Sequence, residues 1–369
     1  MAGALAVLAT ALLAGSAQPA SAGDRAPEPA WAGVWQGQVG SLPVRACLAR
    51  DGLGGGFGSY YYLSRLRPIR LEQAGGSRVW AEKADRPQGT AGPSWTFATV
   101  GPRLLAGSWR YGARRLPFRL TRLAAGDEEP CAGVAFNGPR LRFLRVASTP
   151  ARLAGESYTR LTFDAGPAFP DVKLESFALT GTDAASVRIN ARLRELMPAS
   201  ATGSDWYGCI TGALASPSGG GDYEARVTPT LITPRWLAAT ELVGYYCGGA
   251  HPDGTNSSLV FDRTTGREVD LHGWLAPGAI DRRDHGVALR SAFRDFLLAR
   301  AGELEAECRE TLNTAEFWDI GLSRAGLSFT PELPHVVAAC ANPVAVPWAP
   351  LSPWLGAAGK AGAATLAGR

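Results

Sequence analysis

From Trp31 to about Leu123, apolar residues recur at every second position in short runs broken by Gly and Pro. This is the period of half-buried antiparallel strands, not of helices. Two segments in this region repeat one another: "GVWQGQVGSLPVRACL" and "GSWRYGARRLPFRLTRL" carry Trp, Leu-Pro and Arg at matching distances, Trp35 to Pro43 and Trp109 to Pro117. Each reads as a hairpin whose second strand alternates inward apolar with outward polar side chains. Between them "GSYYYLSRLRPIRL" supplies a strand with an aromatic face. The two hairpins at the ends of a meander predict a small antiparallel β-barrel or sandwich over residues 31–124.

The periodicity drops over residues 125–155, where "AAGDEEPCAGVAFNGPR" reads as a linker. From Glu156 the pattern becomes mixed. "SYTRLTF" and "VKLESFAL" are strands; Thr182 or Asp183 caps a helix over "DAASVRINARLRELM", which Pro198 ends. "DWYGCITGAL", "DYEARVTPTLI", "RWLAATELVGYYC" and "SSLVFD" read as further antiparallel strands, and "DRTTGREVDL" as a hairpin with Gly266 at a position needing positive φ. Leu289, Phe293, Phe296, Leu297, Leu304 and Cys308 form the apolar stripe of a long helix. A hairpin turning at Arg324–Gly326, a last strand at "AVPW" and a closing turn of helix follow. The tail 358–369, rich in Gly and Ala, offers nothing to bury and reads as disordered. The expected class is therefore α+β: an N-terminal β-barrel or sandwich, then an α+β domain over 156–357 with helices packed on an antiparallel sheet.

Composition narrows the setting. The chain has 369 residues, 46% hydrophobic and 19% charged, enough for two ordinary domains. Its net charge of +4 is small, and no dense basic run or basic helix face speaks for nucleic acid. The N-terminus "MAGALAVLATALLAGSAQPASAG" holds an apolar stretch too short to span a bilayer and ends in Ala20-Ser21-Ala22, the form of an export signal over residues 1–22, although no Lys or Arg precedes it. No later segment is apolar for long enough to cross a membrane. The mature chain is expected to be periplasmic or secreted. In that compartment six cysteines are expected to be bridged; six allow fifteen connectivities, and proximity within domains suggests Cys47–Cys131, Cys209–Cys247 and Cys308–Cys340.

"YYCGGAHPDG", residues 245–254, is the densest candidate for chemistry. Cys247 and His251 could ligate zinc, but a structural site needs four ligands and His272, His285 and His335 stand at no ligand spacing. A Cys–His nucleophile needs a free thiol with a lowered pKa. Asp262 to Glu268 resembles a calcium loop only superficially, because Gly266 is its fifth residue and acidic ligands are missing. The remaining reading is a strand ending in a loop, with Gly248 and Gly249 supplying unusual backbone angles and His251 and Asp253 bonding to the loop's own backbone. No nucleophile elbow, P-loop or dinucleotide fingerprint is present, and no carboxylate pair for glycoside chemistry can be nominated. Neither a cofactor nor a metal is expected. Eleven tryptophans with Tyr60, Tyr61 and Tyr62 admit either a barrel core or a sugar-stacking face. The candidate binding residues are Tyr245, Tyr246, His251, Tyr60, Tyr61 and Trp95.

Three motifs carry a resemblance. Gly248-Gly249-Ala250-His251 follows a strand, Phe261-Asp262 with Thr265-Gly266 forms a hairpin, and Gly326-Leu327-x-Phe329 pairs with Val346-Pro347 near the end. Over roughly residues 155–357 this order resembles the extracytoplasmic domain family of the lysozyme-sensing anti-sigma factor RsiV, a module also found ahead of the catalytic domain in the peptidoglycan deacetylase PdaC. The sequence departs from both: it has no sigma-binding segment, no transmembrane helix and no deacetylase domain, and Leu333-Pro334-His335 stands where the family has an aromatic. The resemblance implies a non-enzymatic envelope protein that binds a lysozyme-like protein or cell-wall glycan. The reading from another class is a cell-wall-modifying hydrolase without a recognisable motif.

Overall fold

The computed structural model describes residues 28–51, 54–83, 92–123, 129–143, 145–195, 197, 203–216, 219–302 and 305–367. The export signal read at residues 1–22 lies outside them.

Eight strands close into an antiparallel barrel: β1 (Gly33–Val39), β2 (Leu42–Arg50), β3 (Gly56–Tyr62), β4 (Ile69–Gln73), β5 (Val79–Lys83), β6 (Ser94–Val100), β7 (Leu104–Tyr111) and β8 (Arg114–Arg122). Pairing of β1 with β8, Trp35 opposite Arg122, removes the sheet edges. Of the two architectures the pattern allowed, the chain adopts the barrel. Its alternating residues point inward and fill the lumen, as eight strands require: Trp35, Val39, Val44, Tyr60, Leu71, Trp80, Trp95, Phe97, Trp109 and Phe118 form one cluster. Closure needs sharp strand curvature, and glycines provide it. A Cβ on Gly37 would stand 2.0 Å from the Arg119 carbonyl oxygen, and one on Gly107 1.9 Å from that of Thr96.

The outward face of β1–β3 is buried as well. Val34, Cys47 and Tyr61 pack with Phe136, Phe169 and Trp206 in a core that joins the barrel to the rest of the chain. The segment expected as a linker is ordered where described. It holds a short helix, α1 (Val134–Asn137), then a 3-10 turn (Gly138–Phe143), and its end is the strand β9 (Arg145–Leu153). Cys131 is joined to Cys47, the Tyr61 hydroxyl donates to the Phe136 carbonyl, and Arg45 Nη1 donates to Ala135 O at 2.7 Å.

The second region is built on a seven-stranded sheet. In chain order come β9, β10 (Glu156–Asp164), β11 (Val172–Leu179), α2 (Ala184–Glu195), α3 (Asp205–Leu214), β12 (Asp222–Ile232), β13 (Trp236–Tyr246), β14 (Asp253–Asp262) and β15 (Arg267–Glu268). The sheet order is β15-β14-β13-β12-β11-β10-β9. It is antiparallel except that β11 and β12 are parallel, a correction to the all-antiparallel expectation. Parallel neighbours need a long crossover, and α2 with α3 form it. The segment 205–214, read as a strand, is therefore helix α3. Trp, Tyr and Ile favour strands in the abstract, but most of this helix is buried, so its apolar side chains lie all round it and no helical stripe is visible. Asp183 caps α2 as expected, its Oδ1 accepting from the amides of Ala185 and Ser186, both at 3.0 Å.

The chain ends in a cluster of small elements: β16 (Ile280–Arg283), β17 (Gly286–Leu289), α4 (Ser291–Leu298), α5 (Ala306–Thr314), β18 (Trp318–Leu322), β19 (Gly326–Pro331), β20 (Val344–Pro347), α6 (Trp348–Leu351) and α7 (Ala357–Ala367). The long helix expected from Leu289 to Cys308 is two helices, with Gly302 at φ +72° between them. The tail read as disordered is helix α7. Its small residues let it approach Trp274 closely: a Cβ on Gly362 would stand 2.4 Å from that indole. The Trp236 indole N–H donates to Thr365 Oγ1 at 2.7 Å. The tail buries one large side chain of its own, Leu366, and covers another, Trp274, that belongs to a different element.

All six cysteines are paired, as Cys47–Cys131, Cys209–Cys247 and Cys308–Cys340. Three disulfides fit an oxidising compartment outside the cytoplasm, and among the described residues no helix is long and apolar enough to cross a membrane.

Candidate functional site

The six candidate binding residues separate into two groups. Tyr60 and Trp95 point into the barrel, 1% and 0% exposed, and Tyr61 is sealed under α1. Tyr60 Oη at 2.6 Å, Trp95 Nε1 at 3.1 Å and Trp109 Nε1 at 2.6 Å all donate to one oxygen of Glu82, itself inside the barrel. Burial, then the neighbouring Glu82 charge, pushes the Tyr60 hydroxyl far above its ordinary pKa, so it stays a donor. This cluster satisfies itself. As the structure stands, these three aromatics are barrel and junction core, and no accessible sugar-stacking face contains them.

Tyr245 lies elsewhere, on β13 at the mouth of a cleft of about 1240 Å3 between α3 and the sheet. The register sets Tyr223 of β12 directly opposite it, and the two rings stack at 6.1 Å with an interplanar angle of 19°. Cys209–Cys247 fastens α3 to the end of β13 and so holds the cleft's two walls together. Three carboxylates line it: Glu195 at the end of α2, Asp205 in the first turn of α3, and Glu241 on β13. Among the described residues lining it there is no Lys, Arg or His. Glu195 is shared with Arg192 at 3.4 Å, and Glu241 accepts from Ser257 at 3.4 Å. Burial first, then the charges of Asp205 and Glu241, raise the pKa of Tyr223, so its hydroxyl is protonated at neutral pH. Behind the tyrosines, Trp206 is 1% exposed and its indole N–H has no acceptor among the described residues. Buried donors are nearly always paired; this one, behind the cleft wall, has no partner among the described residues.

Tyr246 projects to the other face, and its hydroxyl donates to Gly249 O at 3.0 Å, closing the loop on itself. The loop is built as the residues suggested, with one change. Gly248 carries the left-handed backbone, φ +86°, whereas Gly249 does not. Asp253 Oδ1 accepts from the Gly254 amide at 2.7 Å and His251 Nδ1 lies 3.0 Å from Pro252 O. The exposed His251 ring stacks on His335, centroids 4.9 Å apart and tilted by 4°. Among the described residues no group of three or more His, Cys, Asp or Glu could hold a metal ion.

Sequence reasoning found Tyr245 but not Asp205, Glu195, Glu241, Trp206 or Tyr223. Their signal is buried in topology: only the crossover through α2 and α3 brings them to one mouth. The carboxylates whose pKa is displaced lie elsewhere and serve the backbone. Asp164 is held low by Arg145 and the Gly166 amide, and Asp183 by the Ser186 hydroxyl and amide.

No family model matches this sequence, and no curated protein matches it. Among solved structures, two bacterial proteins described as members of the DUF3298 family are similar to it. One, from Bacteroides fragilis, is 13% identical with a TM-score of 0.40, over 62% of this chain and 100% of that one. The other, from Pseudomonas aeruginosa, is 13% identical with a TM-score of 0.35, over 58% of this chain and 95% of that one.

Proposed function

We propose that this chain is an exported bacterial envelope protein that works by binding, and that its partner is a lysozyme-like protein presenting basic side chains to the cleft beside Tyr245. The observation that carries the reading is the cleft itself: Glu195, Asp205 and Glu241 line it, no basic side chain among the described residues does, and two tyrosines stand at its mouth. A negative, partly desolvated concavity attracts a positive protrusion and accelerates its approach. Tyrosine supplies contact area at low entropic cost. The resemblance to the RsiV and PdaC extracytoplasmic domains points to the same partner, and the three disulfides suit a protein that meets it outside the cytoplasm.

A second reading, cell-wall glycan, is favoured by one feature, the parallel pair Tyr223 and Tyr245, on which a sugar ring can stack. Titration of lysozyme and of soluble peptidoglycan fragments into the protein, with product analysis of the fragments, tests all three possibilities. Saturable lysozyme binding that weakens steeply with salt supports the proposal. Salt-insensitive fragment binding supports the glycan, and cleavage of the fragments would replace binding with hydrolysis.

A further inference from the structure

A second cavity lies on the opposite side of α3, between the barrel and the sheet, and shares no lining residue with the tyrosine cleft. Its volume is about 500 Å3, within the range of small-molecule sites. Its charge is the reverse of the cleft's. Arg67, Arg70, Lys83 and Arg140 line it, against one carboxylate among the described lining residues, Asp171. Lys83 is also paired with Glu72 at 2.7 Å, and even with that pair the described lining carries more positive than negative groups.

Arg140 is the deepest of these cations and is 2% exposed. Its partners among the described residues are all neutral: Nη1 donates to Asn137 Oδ1 at 2.6 Å, Nε to Leu66 O at 3.2 Å and Nη2 to Ala168 O at 2.6 Å. Its guanidinium lies 4.1 Å from the centre of the Phe169 ring. Three of its five N–H donors are used in this way. Leu66, whose carbonyl takes the first of them, is held with a left-handed backbone, φ +61°. Burial without a carboxylate partner pulls the arginine's pKa down to about 10, so it is still charged at neutral pH. A buried cation with no counter-ion is costly, and an entering anion relieves that cost. Pro68, Phe169, Pro170, Val172, Ile210 and Leu214 supply the apolar part of the wall, beside the hydroxyl-bearing Ser59.

We propose that this cavity binds a small organic anion, its carboxylate or phosphate head among Arg67, Arg70, Lys83 and Arg140 and its apolar body against Phe169, Ile210 and Leu214. The proposal is independent of the tyrosine cleft and holds whether or not that cleft takes a protein. The site is formed jointly by the barrel, the turn after it and the sheet, so an occupied cavity would tie the two regions together. Gly219, Gly220 and Gly221 form part of its rim.

Calorimetric titration of the full chain with decanoate and with decyl phosphate, below their micellar concentrations, tests this, with decanol as the uncharged control. Saturable one-to-one binding of either anion, at least roughly tenfold tighter than decanol, supports the proposal, and the better of the two identifies the head group. The double variant Arg67→Gln/Lys83→Gln alters two exposed side chains and should melt with the parent while losing roughly tenfold or more in affinity. Glu241→Gln, in the other cleft, should bind the probes as the parent does. No saturable binding of either anion, equal binding of decanol, or undiminished binding by the double variant overturns it.

Discussion

The barrel interior and the cleft beside Tyr245 are made from the same materials, tyrosine, tryptophan and carboxylate, and differ in whether the polar atoms are answered from within. In the barrel Glu82 takes hydrogen bonds from Tyr60, Trp95 and Trp109, and the aromatics pack on one another. In the cleft Asp205 is exposed, Glu241 takes only a long bond from the Ser257 hydroxyl at 3.4 Å, and the Trp206 indole N–H has no acceptor among the described residues. The first arrangement stabilises the fold. The second leaves polar atoms for something outside the fold. Aromatic and acidic composition therefore says little about function until the hydrogen-bond partners are counted.

If Glu82 is a stability element, its removal should be severe. Glu82→Ala leaves three buried donors unpaired, and we expect a loss of about 3–5 kcal/mol in urea unfolding. A loss under about 1 kcal/mol would mean that the barrel cluster is not answered from within, and the contrast with the cleft would collapse. Opening Cys47–Cys131 by replacing both cysteines with alanine should cost about 2–4 kcal/mol, because it frees the turn that seals Tyr61 and joins the barrel to the sheet. Limited proteolysis of that variant should begin within 129–143, and a parent-like cleavage pattern would show that the disulfide does not hold the junction.

The barrel was legible because its period-two pattern is local and its repeated hairpins mark the two ends that meet. The cleft was not, because Glu195, Asp205, Tyr223 and Glu241 belong to four elements that only the parallel crossover brings together. Helix α3 hid for the same reason: packed under the barrel's outer wall, it is apolar nearly all round, and its strand-forming residues outvote a helix period that cannot show itself. Helix α7 failed differently. Apolar content predicts what a segment can bury of itself, and here Gly359 and Gly362 matter for what they let come close. The loop 245–254 was read correctly as self-bonded, save that the positive φ belongs to Gly248.

That point sharpens into a smaller effect. Gly248→Ala should cost about 1 kcal/mol and Gly249→Ala close to nothing, since only the first glycine has φ in the left-handed region. Equal melting temperatures for the two variants would contradict the assigned backbone. Smaller still is the contribution of Asp183 at the start of α2. Its carboxyl is held below the ordinary carboxylate range chiefly by the Ser186 hydroxyl and amide. The stability it confers is therefore present above the unfolded pKa and is lost as pH falls through the lower folded value. Asp183→Asn should be less stable than the parent at neutral pH, and the difference should shrink on acidification below about pH 4. A difference that grows in acid would reverse the sign of the argument.

The central claim is that the cleft carboxylates serve a partner and not the fold. Lysozyme titrated into the parent and into Glu241→Gln, with both proteins melted in the same buffer, tests it most directly. The account predicts a melting temperature unchanged by the substitution and an affinity lowered roughly tenfold at low salt. An unchanged affinity together with a lowered melting temperature would make Glu241 a structural residue like Glu82 and contradict the account.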